Sequence, residues 1–110
     1  MRATDDRIFH LHAEVCKSMA NPTRLKILAA LQGGEQSVEA LARALQVPKA
    51  NLSQHLAVLR HRGIVSTRRE GLNVFYRCGN AKMLQACELL RQVLLEQLAE
   101  GHALMKAANR

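Results

Sequence analysis

The feature that most restricts this chain is a gap of about three residues, Gln46 to Pro48, between two stretches of helical periodicity. Upstream, "VEALARAL" spaces Val38, Leu41, Ala42 and Leu45 along one helix face, and Ser37 stands where an N-cap oxygen is needed. Downstream, Pro48 opens a second helix in which Leu52, Leu56 and Leu59 face inward, and Gly63 stops it. A short helix, a tight turn and a second helix make a helix-turn-helix.

The flanking segments fit around that unit. Residues 5–19 place Ile8, Leu11, Val15 and Met19 at helical spacing, joined by His12 and Cys16, with Asp5 and Asp6 at the positive end of the helix. "ANPTRLKILAALQGG" restarts the chain: Asn21 caps, Pro22 takes the first helical position, Leu25, Leu28 and Leu31 form the buried stripe with Ile27 beside it, and Gly33 and Gly34 end the helix. After Gly63 the period changes. "GIVSTRREGLNVFYRC" sets β-branched and aromatic residues around a Glu-Gly-Leu-Asn turn, which predicts a two-stranded hairpin with strands near 65–69 and 73–78. Asn80 caps a long last helix, about 81–106, carrying Met83, Leu84, Cys87, Leu90, Val93, Leu94 and Leu98. That stripe is wider than one packing face needs, so part of it is expected to meet a second subunit.

Composition agrees with a small, mostly helical protein. A chain of 110 residues is expected to form one domain, 1–110, with a limited core. Aromatic residues are 3% with no Trp, so the core is aliphatic, which favours helix over sheet. Sixteen Lys and Arg against nine Asp and Glu give a formal charge of +7, suited to a polyanion: DNA, RNA or an acidic membrane surface. No apolar run approaches the roughly 20 residues that span a bilayer, and the opening "MRATDDRIFH" is not expected to act as a secretory signal. Cys16, Cys78 and Cys87 are odd in number and lack paired spacing, which argues against a disulfide framework and for the cytoplasm, with thiols reduced.

The second helix of the pair is two-faced. Lys49, Ala50, Asn51, Ser53, Gln54 and His55 lie toward its N-terminal or outer side. They are short or polar side chains that can approach base edges, and Asn or Gln can pair with adenine. Arg60, His61 and Arg62 follow at the helix end, and Arg68 and Arg69 sit at the hairpin tip with Arg77 nearby. These are phosphate-type contacts, which fix register and carry little sequence information.

With these motifs in place, the chain resembles the ArsR/SmtB family of bacterial winged helix-turn-helix repressors. The resemblance runs through "ANPTRLKIL", "VEALARAL", "NLSQHLAVLRHRGIV" and "RREGLNVFYR" and covers most of the chain. It implies a mainly α winged helix-turn-helix with a small β-hairpin wing, a recognition helix at about 48–61, a wing at 65–78, and a homodimer formed by the first and last helices. It also implies binding to a double-stranded DNA operator that blocks transcription until an effector releases the protein. Pro48 departs from the serine-type cap of many members, a change of small consequence in a first turn.

The effector motifs of the family do not carry over. The arsenite-type Cys-x-Cys pair is absent from "SVEALARAL", the zinc-type set is absent from the last helix, and the reactive-sulfur pairing fails because Ala29 and Ala30 occupy the matching region and no cysteine follows Cys87. What remains is specific to this chain. His12 and Cys16 are four apart on one helix face, Cys87 lies on the last helix, and Cys78 ends the wing. Cys16 and Cys87, with Cys78 or His12, are a candidate effector site for a thiophilic metal, a metalloid or an oxidant. The competing reading makes Cys16 and Cys87 small core hydrophobes. No cofactor is otherwise implied. Two other function classes fit the sequence less well. A winged-helix protein-interaction module would want an acidic or apolar recognition face, whereas this one is basic and polar. An enzyme would want a phosphate loop or paired carboxylates, which the sequence lacks.

Overall fold

A computed structural model describes residues 5–101. Five helices and three strands follow in the order α1 (Asp6–Met19), α2 (Pro22–Ala30), a 3₁₀ turn (Leu31–Gly33), β1 (Gln36–Ser37), α3 (Val38–Leu45), α4 (Lys49–His61), β2 (Val65–Glu70), β3 (Asn73–Cys78) and α5 (Ala81–Glu100). The expected caps form. Asn21 Oδ1 accepts from the Thr23 and Arg24 amides at 2.9 and 3.2 Å, Ser37 Oγ from Ala40 at 3.1 Å, and Asn80 Oδ1 from Lys82 at 2.9 Å. Each satisfies orphan amide donors of a first turn.

Between α3 and α4 the chain reverses at Gln46, which takes a left-handed conformation (φ 54°). Pro48 stands just outside α4 as its cap residue, and its carbonyl accepts the Leu52 amide at 3.1 Å. Leu52, Leu56 and Leu59 are 0% exposed and form the centre of the core with Ile27, Leu28, Leu31, Leu41, Ile64 and Val65. Burial of each such aliphatic chain stabilises by about 1.5–3 kcal/mol, so three consecutive turns of α4 are anchored to the body while its other faces stay in solvent. Gly63 (φ 73°) closes α4 and turns the chain into β2.

The sheet departs from the expected two-stranded hairpin. β1 adds a third strand, in the order β1-β3-β2, all antiparallel, with Gln36 opposite Tyr76 and Ser37 opposite Phe75. The Gln36 side-chain amide donates to the Ala30 carbonyl at 2.8 Å, so the edge of the wing is tied to the end of α2.

Two further expectations are corrected. Leu25 is 37% exposed, and the buried stripe is Ile27 and Leu28 of α2 with Leu31 of the 3₁₀ turn. Leu11 is 60% exposed, while Val15 and Met19 pack on the core. Helix α5 runs to Glu100, with Gly101 in the left-handed region (φ 68°) as its cap residue; the expected helix ran to about 106, and residues 102–106 lie outside the described residues. Early in α5, Met83 and Leu84 pack on the core, and farther along Leu89, Leu90, Val93, Leu95 and Leu98 are exposed.

Candidate DNA interface and thiol cavity

Helix α4 presents its polar residues on the side away from the core. Lys49, Ala50, Asn51, Ser53, Gln54 and Arg60 are all exposed. Among the described residues, the side chains of Asn51, Gln54, Arg60 and Arg69 make no hydrogen bond or ion pair, so their donors and acceptors are available to a ligand. Two others are partly engaged. Lys49 Nζ pairs with Glu39 Oε1 at 3.0 Å, which holds the Glu39 carboxyl below its ordinary range. Ser53 donates its hydroxyl proton to the Lys49 carbonyl at 3.0 Å, leaving the oxygen lone pairs as acceptors.

His55 is set apart from that row. It is half-buried and turned toward α2, where Arg24 Nε donates to its Nδ1 at 3.1 Å. Nothing in the sequence pattern marked Arg24 as its partner.

The two wing arginines point opposite ways, as adjacent residues of a strand must. Arg68 stands over its cross-strand neighbour Phe75, with the guanidinium carbon 4.8 Å from the ring centroid. Its Nε donates to Glu35 Oε1 at 3.0 Å and Oε2 at 3.2 Å, its Nη2 donates to the same carboxylate, and its Nη1 donates to Glu70 Oε2 at 2.6 Å. These bonds, those to Glu35 first, raise the Arg68 pKa above its ordinary value and hold the Glu35 carboxyl below its own. Arg69 lies on the other face with Thr67, whose cross-strand partner Tyr76 lines a hollow with Ser53, Ala57, Arg60 and His61 of α4.

The candidate effector residues divide. Cys16 and Cys87 line one cavity of about 250 Å³, bounded by Met19, Ala20, Leu25, Leu90, Arg91 and Leu94. His12 is exposed and Cys78 belongs elsewhere: its Sγ donates to the Asn80 carbonyl at 3.3 Å, and it borders a separate hollow with Glu35 and Arg77. All three cysteines are free thiols. Among the described residues no group of three or more His, Cys, Asp or Glu side chains is arranged to hold a metal ion. No described helix is long and apolar enough to cross a membrane.

The fold and its exposed helix define a helix-turn-helix transcription regulator, and the comparisons with known proteins agree. A model described as a helix-turn-helix domain matches residues 19–68. The transcriptional activator HlyU of Vibrio cholerae is 43% identical over 77 residues, which cover 70% of this chain and 71% of HlyU. The crystal structure of the transcriptional repressor BigR from Xylella fastidiosa superposes with a TM-score of 0.74 at 35% identity, covering 80% of this chain and 90% of that one. A homodimeric winged helix-turn-helix DNA-binding domain from Mycobacterium bovis, described as a possible ArsR-family regulator, gives a TM-score of 0.74 at 34% identity and covers 94% and 97% of the two chains. The chain belongs to the ArsR/SmtB family of winged helix-turn-helix transcription regulators.

Proposed function

We propose that the protein is a homodimeric repressor that reads a DNA operator with α4, steadies itself on the phosphate backbone through the wing, and is released by an effector acting at the Cys16–Cys87 cavity. The observation that carries the DNA part is the row of unengaged polar side chains on α4, Asn51 and Gln54 above all, held outward by a helix whose opposite face is fully buried. Amides in that position can take bidentate bonds to adenine in a major groove. The homodimer is supported by the exposed leucines of α5 and by the dimeric Mycobacterium bovis relative. Relatives carry both activator and repressor names. The repressor reading is supported by the relatives named repressors, BigR among them. Effector release through thiols is supported by the shared cavity of Cys16 and Cys87.

The test begins with operator selection from a random-sequence pool. Gln54→Ala is expected to lose about 1–3 kcal/mol of discrimination between the selected site and random DNA, the cost of a lost bidentate base contact. Arg69→Ala is expected to weaken binding to both DNAs alike. Equal effects of Gln54→Ala on the two DNAs would reject α4 as the reading element.

A further inference from the structure

We infer that the two adjacent wing arginines have divided roles: Arg69 contacts the DNA backbone, whereas Arg68 is a positioning residue that braces the wing through Glu35. This rests on the DNA-binding reading above. The sequence treats the pair alike, as two positive charges at a hairpin tip. The strand places them on opposite faces.

Arg68 is already engaged on three of its five N–H donors. Its guanidinium meets two carboxylates, one from the segment before β1 and one from its own strand, and its flat face lies on Phe75. Glu35 and Glu70 offset the charge of Arg68 and of Arg77 nearby, so this face carries no surplus of positive charge. A phosphate approaching this face meets two carboxylates, and Arg68 would have to give up its bonds to them to turn its bonded edge toward it. Planar guanidinium groups bond carboxylates in a fixed fork, so the Glu35 contact also carries orientation. Glu35 belongs to the link between the 3₁₀ turn that ends α2 and β1. The bond therefore fixes the hairpin against the helical body, and with it the angle at which Arg69 is held.

Arg69 has the opposite character. Among the described residues no carboxylate pairs with it, and it shares a face with Thr67, whose partner Tyr76 borders the α4 hollow that includes Arg60. It is the wing cation with its charge free on the side that carries the recognition helix.

Salt dependence separates the two roles, because each phosphate contact contributes about 0.9 to the slope of log affinity against log salt. The experiment measures binding of the full chain to a selected operator from low to high salt. Arg69→Gln is expected to lower the slope by about one unit per subunit. Arg68→Gln is expected to weaken binding several-fold with the slope unchanged. Glu35→Gln should weaken binding as much as Arg68→Gln, and the double variant no more than either single one. Far-ultraviolet circular dichroism of each variant checks that the fold persists. A slope that falls by a unit in Arg68→Gln, or losses that add in the double variant, overturns the inference. A wild-type chain that selects no DNA sequence defeats the DNA-binding reading instead, which the wild-type measurement alone reveals.

Discussion

Arg24 joins α4 to the end of α1: its Nε donates to His55 Nδ1 at 3.1 Å and its Nη1 donates to the Ser18 carbonyl at 3.0 Å. A guanidinium only donates, so His55 Nδ1 must accept, and the ring proton sits on Nε2. One side chain of α2 thus fixes the tautomer of a residue on α4 and satisfies a carbonyl in the last turn of α1. Arg24→Gln removes both bonds. The expected loss is about 1.5–3 kcal/mol of stability, the scale of a hydrogen bond to a charged group. Nitrogen NMR of the His55 ring should show one tautomer in the wild type and a mixture in Arg24→Gln. An unchanged tautomer and an unchanged denaturation midpoint would count against the strut.

That strut also marks the limit of what the sequence displays. The caps Asn21, Ser37 and Asn80, the three core leucines of α4 and the hairpin turn are legible because each signal lies within a few residues of its effect. Leu25 misleads because it sits three residues before Leu28, a spacing that fits one helix face. The true buried face runs through Ile27, Leu28 and Leu31, about a hundred degrees round the helix from Leu25 at 3.6 residues per turn. β1 is two residues long and exists only because β3 is beside it, so no periodicity can show it. The Arg24–His55 and Arg68–Glu35 bonds span 31 and 33 residues. The sequence shows that these groups are polar, and only the fold shows which of them are already engaged. The same applies to the thiols: Cys16 and Cys87 meet at one cavity, while Cys78 and His12 are carried away by the geometry of β3 and by the outer face of α1.

Helix α5 predicts assembly. Leu90 is 60% exposed, Val93 43% and Leu98 49%, a density of apolar surface that a lone domain of this size does not leave in water without a partner. Leu94, half-buried beside them, lies on the same helix at the wall of the thiol cavity. Leu94→Glu is expected to shift sedimentation at micromolar concentration from the dimer toward the monomer. Because the paired recognition helices must reach major grooves about 34–36 Å apart, operator affinity should fall with it. A monomeric wild type with tight operator binding would contradict the proposed dimer.

The cavity between α1 and α5 yields the last prediction. Cys16 and Cys87 line its wall together with Met19, Leu25, Leu90 and Leu94, an apolar setting that a two-coordinate soft ion or a disulfide tolerates better than a hard cation. Oxidation by hydrogen peroxide would join the two sulfurs, with the two thiol hydrogens leaving in water, and would draw α1 toward α5. Cys16 lies two residues before Ser18, whose carbonyl holds Arg24, and Arg24 holds His55 on α4. Movement of α1 is expected to reach α4 through these two hydrogen bonds. A coupling of 1–3 kcal/mol, about 5–150-fold in affinity, is the usual scale for such linkage. Operator affinity should drop within that range when the wild type is treated with peroxide or arsenite, and mass spectrometry of the peroxide-treated protein should find Cys16 bonded to Cys87. Serine at either position should preserve DNA binding and remove the response, whereas Cys78→Ser should keep it. If the wild type ignores both reagents, or if Cys16→Ser and Cys87→Ser still respond, the two thiols serve packing alone.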